Sequence, residues 1–240
     1  MNVKQLSTTL KVRLICDFFQ NIIVTAFLPF IALYLTDMVN QRFAGLFLFI
    51  LVIINFPISL ISGHIIERLP KKTLTLTYQL ILSMMLIVMA FSTSKHSALI
   101  AIFCIAYAIF SITIGMQQPV MDTIIMDAIT PEVEHYIYKI SYWLTNIAVT
   151  LGALIGGLMY SAHKSLLFLI AFVIYMTVFI ALYIWLPKDL NKVNELSVQD
   201  SKQTRFSMKQ ILHSYKPAFK DTTYLLLIVG FSILTMGELS

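Results

Sequence analysis

Hydrophobic residues fall along the chain in long runs, and polar residues gather in the short gaps between them. A helix needs about 20 mostly apolar residues to cross roughly 30 Å of hydrocarbon. Six runs reach that length, at 12–35, 43–66, 73–93, 98–121, 136–160 and 165–186, and each predicts a membrane-spanning helix. A seventh run starts at Thr222 and continues to Ser240, barely long enough to span. The gaps among the first six are short, as expected between antiparallel neighbours. The stretch 188–221 is polar and charged and lacks apolar periodicity, so it predicts a linker. Within it, 206–215 has the pattern of a short amphipathic helix on a membrane surface. The expected organisation is all-α: a six-helix unit over 1–187, a linker over 188–221 and the start of a seventh helix over 222–240.

Composition sharpens this into a polytopic membrane protein. Hydrophobic residues make up 58% of the 240, charged residues only 12%, and mean hydropathy is +0.83. A soluble domain carries about 25% charged residues, so this chain lacks the polar surface that water requires. The net charge of +5 does not indicate nucleic acid, because the basic residues are scattered through the gaps instead of forming one patch. They fit a positive-inside pattern instead. With the N-terminus inside, 14 of the 17 lysines and arginines fall in inner segments, and only Arg42, Lys95 and Lys164 lie outside. The expected protein is a multi-pass component of the cell membrane with a cytoplasmic N-terminus and a cytoplasmic linker. The first residues are polar and basic, and the apolar run after them is too long for a signal sequence, so the first helix is expected to stay uncleaved.

Enzyme chemistry finds no footing. Cys16 and Cys104 lie inside apolar runs without metal-ligand spacing. An intramembrane serine protease would need Gly-x-Ser-Gly, and a zinc protease His-Glu-x-x-His; neither occurs. No metal or cofactor site is expected.

The polar residues inside the helices are the better clues, since buried polar groups avoid lipid and face the bundle or a watery cavity. Helix one carries Asp17, Asn21 and Thr25 at i, i+4 and i+8, on one face. Helix four carries Tyr107, Ser111, Gln118 and Asp122; helix five carries Lys139, Tyr142, Asn146 and Thr150. Asp17, Asn21, Ser111, Gln118, Asp122 and Asn146 are therefore candidates for a cavity or a coupling path. Asp17 stands out as a membrane-embedded acid, with an ion pair to Arg13, one turn earlier, as the local alternative. Helix six is nearly all apolar from Leu166 to Leu186, which suits a lipid-facing position.

Three stretches carry a family resemblance. The gap after helix two reads Gly63-His-Ile-Ile-Glu67-Arg68-Leu-Pro70-Lys71-Lys72. It resembles the loop signature of the major facilitator superfamily, Gly-x-x-x-Asp-Arg-x-Gly-Arg/Lys-Arg/Lys. Gly63, Arg68, Lys71 and Lys72 match it, Glu67 replaces Asp, and Pro70 replaces Gly. Gly63 is expected to let helix two approach a neighbour closely. The end of helix four, Pro119 to Pro131, is similar to drug-efflux members, with Asp127 and Pro131 matching and His135 standing where Arg is usual. The resemblance implies that Lys71 pairs with Asp127, and Glu67, Lys71 and Asp127 are expected within salt-bridge reach. Helix five resembles the antiporter motif Gly-x-x-x-Gly-Pro-x-x-Gly-Gly through Gly152, Gly156 and Gly157, with Ala148 and Ala153 as replacements. Ser111 occupies the place of a helix-four Arg found in many proton-coupled members, which counts against coupling by that route.

The resemblance implies a six-helix N-terminal bundle, with substrate bound between it and a missing C-terminal half, and transport by alternating access. It implies efflux of drugs or small solutes coupled to protons, with the small-molecule substrate, protons and the lipid bilayer as partners. The competing reading is a half-transporter or membrane scaffold that does not transport by itself.

Overall fold

The computed structural model describes residues 7–93, 97–160 and 164–187, all within the unit Met1–Asn194. The linker and seventh helix expected over 188–240 lie outside the described residues. Six helices follow one another: α1 (Thr8–Met38), α2 (Gln41–Arg68), α3 (Lys71–Phe91), α4 (Ser97–Ala128), α5 (Pro131–Tyr160) and α6 (Lys164–Trp185). All six are long and apolar enough to cross a membrane.

Local chemistry sets their ends. Ser7 caps α1, its hydroxyl accepting from the Leu10 N–H at 3.3 Å, and Asn40 caps α2 by accepting from the Phe43 N–H at 2.8 Å. Pro131 opens α5, where its missing N–H costs nothing. The largest departures from the sequence boundaries are in α4, seven residues longer at its end, and α5, five residues longer at its start. Hydropathy locates the part of a helix in hydrocarbon; the polar turns that continue it must be read from their stop signals. Here the signal is Pro131, which disfavours helix at Thr130 before it.

α1 packs along α5 and also touches α2, α4 and α6, while α3 lies against α4 and α6, and α2 against α4. The main core joins α1, α3, α4 and α6 through aromatic rings. Phe27 lies 5.4 Å from Phe110 and 5.5 Å from Phe168, and Tyr34 lies 4.5 Å from Phe103. A second apolar cluster joins Cys16, Tyr78, Ile124 and Leu182, and a third joins Leu10 and Leu14 to Ile137. α2 and α5 expose Leu46, Phe49, Val52, Phe56, Trp143, Leu154 and Leu158. α6 is apolar on both faces but not wholly lipid-facing: Leu167, Ala171, Tyr175 and Leu182 face the bundle, and Val173, Ile180 and Ile184 face out. An apolar coat of this extent belongs in lipid or against another apolar surface.

Candidate functional site

The first half of α1 is unusual for a membrane helix because it carries a buried charge. Arg13 is only 2% exposed. Its guanidinium forms an ion pair with Asp17, one turn on, and Asp122 of α4 lines the same cavity. An isolated buried cation is costly, so a paired carboxylate one turn on and a second carboxylate on the same cavity wall fit what burial requires. The group carries one surplus negative charge when all three are ionised. Arg13 Nε has no hydrogen-bond partner among the described residues.

These side chains open onto a cavity of about 320 Å³ between α1, α4 and α5. It brings together four of the residues expected there: Asp17, Asn21, Gln118 and Asp122. Gln118 donates from Nε2 to Asp122 Oδ1 at 3.1 Å. Ser111 and Asn146 do not line it. Ser111 Oγ instead accepts from Asn55 Nδ2 at 2.8 Å across α2 and α4. Gly115 permits that approach, since a Cβ there would sit 2.9 Å from Asn55 Oδ1. Asn146 is exposed and donates to the Tyr142 carbonyl one turn back. The whole stripe Lys139, Tyr142, Asn146 and Thr150 is exposed on this unit. α5 turns Tyr138, Ser141 and Thr145 to the cavity instead.

Behind the cavity lies a polar junction that the stripe pattern did not reveal. Gln79 of α3 is fully buried. Its Oε1 accepts from Gln20 Nε2 of α1 and from Gln117 Nε2 of α4, each at 2.8 Å. Its Nε2 donates to the Tyr175 carbonyl of α6 at 3.0 Å. One side chain thereby ties four helices. Gln20 misses the i+4 row from Asp17, and Gln79 is the lone amide of its helix. The available signal was weak: an amide in an otherwise apolar span needs a partner on another helix.

The gap between α2 and α3 pairs with the end of α4. Lys71 Nζ lies 2.5 Å from Asp127 Oδ2. Lys71 opens α3 and Asp127 lies in the last turn of α4, so each charge stands at the dipole end that disfavours it. Pairing offsets both. Lys72 turns elsewhere: its Nζ donates to the Leu186 carbonyl at 2.5 Å, at the C-terminal end of α6. Glu67's side chain lies outside the described residues. The close approach expected at Gly63 is not made, because a Cβ there would meet nothing within 4 Å among the described residues; α2 has room on that side.

In α5, Gly152 and Gly156 are pressed against α1. A Cβ on Gly152 would strike the Ile22 carbonyl, and one on Gly156 the Ala26 carbonyl and the Phe30 ring. Gly157, by contrast, faces open space. The bundle of apolar spans, the paired Lys71 and Asp127, and the glycine seam agree with a sequence comparison: the Major Facilitator Superfamily profile matches residues 13–239.

The chain belongs to the major facilitator superfamily.

A relative points the same way. A Na(+), Li(+), K(+)/H(+) antiporter of Planococcus maritimus is 22% identical over 232 residues, which is 96% of this chain and 55% of the relative. The chain thus spans about half the length of that relative. As a superfamily member with six apolar helices of spanning length among the described residues, it is a multi-pass membrane protein.

Proposed function

We propose that this chain forms the N-terminal half of a secondary transporter that exchanges small cationic solutes for protons by alternating access. The observation that carries the reading is the Arg13–Asp17–Asp122 group on the wall of the cavity between α1, α4 and α5. A charge in a membrane segment that faces a cavity usually serves a pathway. Two carboxylates against one guanidinium leave a negative charge that either a cation or a proton can neutralise, which is the requirement for exchanging one against the other. The cation antiporter of Planococcus maritimus supports the same chemistry. Asp17 and Asp122 are the coupling acids in this reading. Arg13 keeps one of them ionised when the site is empty. Ser111 cannot supply charge, so coupling runs through α1 and the cavity end of α4.

The N-terminal end of α1 lies at the cytoplasm in this scheme, following the 14 of 17 basic residues on that side. The Lys71–Asp127 pair is then a cytoplasmic contact that biases one access state, and it has that effect only if its geometry differs between states.

The test is proton exchange in everted membrane vesicles holding the full-length protein. After a proton gradient is established, adding NaCl, KCl or LiCl should collapse it with the wild type. Asp17→Asn should abolish the response at normal membrane abundance. Unchanged exchange by Asp17→Asn would remove Asp17 from the coupling path and leave it a local partner of Arg13.

A further inference from the structure

The glutamine junction determines which atoms the cavity offers its guest. A carbonyl oxygen carries no hydrogen, so Gln79 must face the Tyr175 carbonyl with its NH2 group, as the 3.0 Å contact requires. That turns Gln79 Oε1 toward α1 and α4. This oxygen also carries no hydrogen, so Gln20 and Gln117 must each present NH2 to it, as they do at 2.8 Å. One backbone carbonyl of α6 therefore fixes the orientation of three amides in succession.

The consequence lies at the other end of the two outer amides. Gln20 and Gln117 are 9% and 6% exposed, and both line the cavity. Their Nε2 groups are spent on Gln79, and neither Oε1 is among the buried atoms left without a partner, so each oxygen is the polar atom these residues can present to the cavity they line. Gln118 has its Nε2 engaged by Asp122, which leaves its Oε1 as a further acceptor. Asp17 and Asp122 add carboxylate oxygens, and Arg13 is directed at Asp17.

We infer that the α1 and α4 wall of the cavity is a surface of acceptor oxygens whose polarity is set from outside by Gln79, and that it takes a small monovalent cation. Neutral amide oxygens and a surplus carboxylate suit a hard alkali ion. They also suit the N–H groups of a primary ammonium. Both guests have the same chemistry, a compact positive charge that needs acceptors. Gln79 touches no guest and acts as a positioning residue through Gln20 and Gln117. The inference rests on the cavity being the substrate site, as proposed above.

Equilibrium binding to the full-length protein in lipid nanodiscs tests it, with radioactive sodium and methylammonium as separate probes. At least one should bind the wild type, and the one that binds identifies the guest as bare ion or ammonium. Gln79→Leu frees both outer amides to turn, and its affinity should fall by about tenfold, the upper range of one interhelical hydrogen bond. The double variant Gln20→Leu/Gln117→Leu should lose a similar factor. Adding Gln79→Leu to that double variant should cause no further loss, because Gln79 would then have nothing to orient. A merely structural Gln79 would give losses that multiply. Gln79→Glu provides the check if Gln79→Leu does not fold. Protonated at that depth, its O–H replaces the donor to Tyr175 and its carbonyl the acceptor, so binding should persist.

Multiplying losses, a folded Gln79→Leu with wild-type affinity, loss of binding in folded Gln79→Glu, or no binding of either probe by the wild type would overturn the inference. Binding with the expected pattern but without proton exchange would sink only the antiport proposal. Exchange that persists while these variants leave binding unchanged would sink only the acceptor wall.

Discussion

The two ends of the α1–α5 contact are built in opposite ways. Toward the N-terminal end of both helices, Leu10 and Leu14 meet Ile137, with Leu144 packed beside them, and the 320 Å³ cavity lies alongside. Toward the other end, Ala148 is fully buried, and Gly152 and Gly156 lie against the α1 carbonyls of Ile22 and Ala26. Along one face of α5 side-chain size thus falls from Ile137 and Leu144 through Ala148 to Gly152 and Gly156. Side-chain size sets the distance between packed helices, and small residues let backbones touch. A helix that tapers in this way can bring its backbone closer to its neighbour at the small-residue end. The cavity beside the large-residue end is where α1 places Arg13 and Asp17. The closed end is further pinned by Lys164, whose Nζ stands 4.5 Å from the Tyr160 ring centroid and 5.4 Å from that of Tyr34, with Asp37 at 3.9 Å. The lesson is that the cavity follows from a gradient of side-chain volume as much as from its polar lining.

The largest effect should come from spoiling the taper. Gly156→Ala puts a methyl group into the Ala26 carbonyl and should cost about 3 kcal/mol, the upper part of the usual overpacking range. Gly157→Ala, one residue on and facing open space, should stay within about 0.5 kcal/mol. Thermal unfolding of the two variants in detergent makes the comparison. Equal effects would mean that the seam does not bear on α1.

Next is the open end. Asp17→Asn leaves Arg13 with Asp122 as its remaining acid. Because that partner persists, the loss should be about 1–3 kcal/mol, below the full penalty of a buried unpaired charge. Asp17→Asn combined with Asp122→Asn should cost more than the sum of the single losses, since only the pair strands the guanidinium. Chemical unfolding of the four proteins gives the cycle, and strict additivity would show that the two acids do not share Arg13.

The six described spans were legible because hydropathy reports them directly. Lys71 with Asp127, and the pressed positions Gly152 and Gly156, were legible only through the resemblance to the superfamily's loop and helix-five motifs. Asp17, Asn21, Gln118 and Asp122 were traced to a cavity by the cost of polar groups in lipid. That cost does not say which neighbour relieves it. Ser111 meets Asn55, and Asn146 bonds to its own helix, so neither reaches the cavity. Gln79 went unmarked because its importance lies in where four helices cross, and no local pattern encodes a crossing point.

A smaller effect separates the two charged contacts. Lys71 and Asp127 are partly solvated, so Lys71→Ala should cost about 1 kcal/mol or less and lose that effect in high salt. The Arg13–Asp17 pair is shielded from solvent on the Arg13 side and should respond little to salt. Stability measured at low and high ionic strength checks both, and equal salt sensitivity would contradict the difference in burial.

The central claim is that the cavity beside Arg13 and Asp17 holds the transported cation. Thiol labelling of two α5 variants of the full-length protein tests it most directly. Ser141→Cys faces the cavity, and Asn146→Cys, on the same helix, does not. The native Cys16 and Cys104 are buried and supply the background. With the transported cation at ten times its Kd, labelling at Ser141→Cys should slow by about tenfold, following the fraction of empty sites. Labelling at Asn146→Cys should not change. Equal protection of both positions, or protection of neither, would contradict the account.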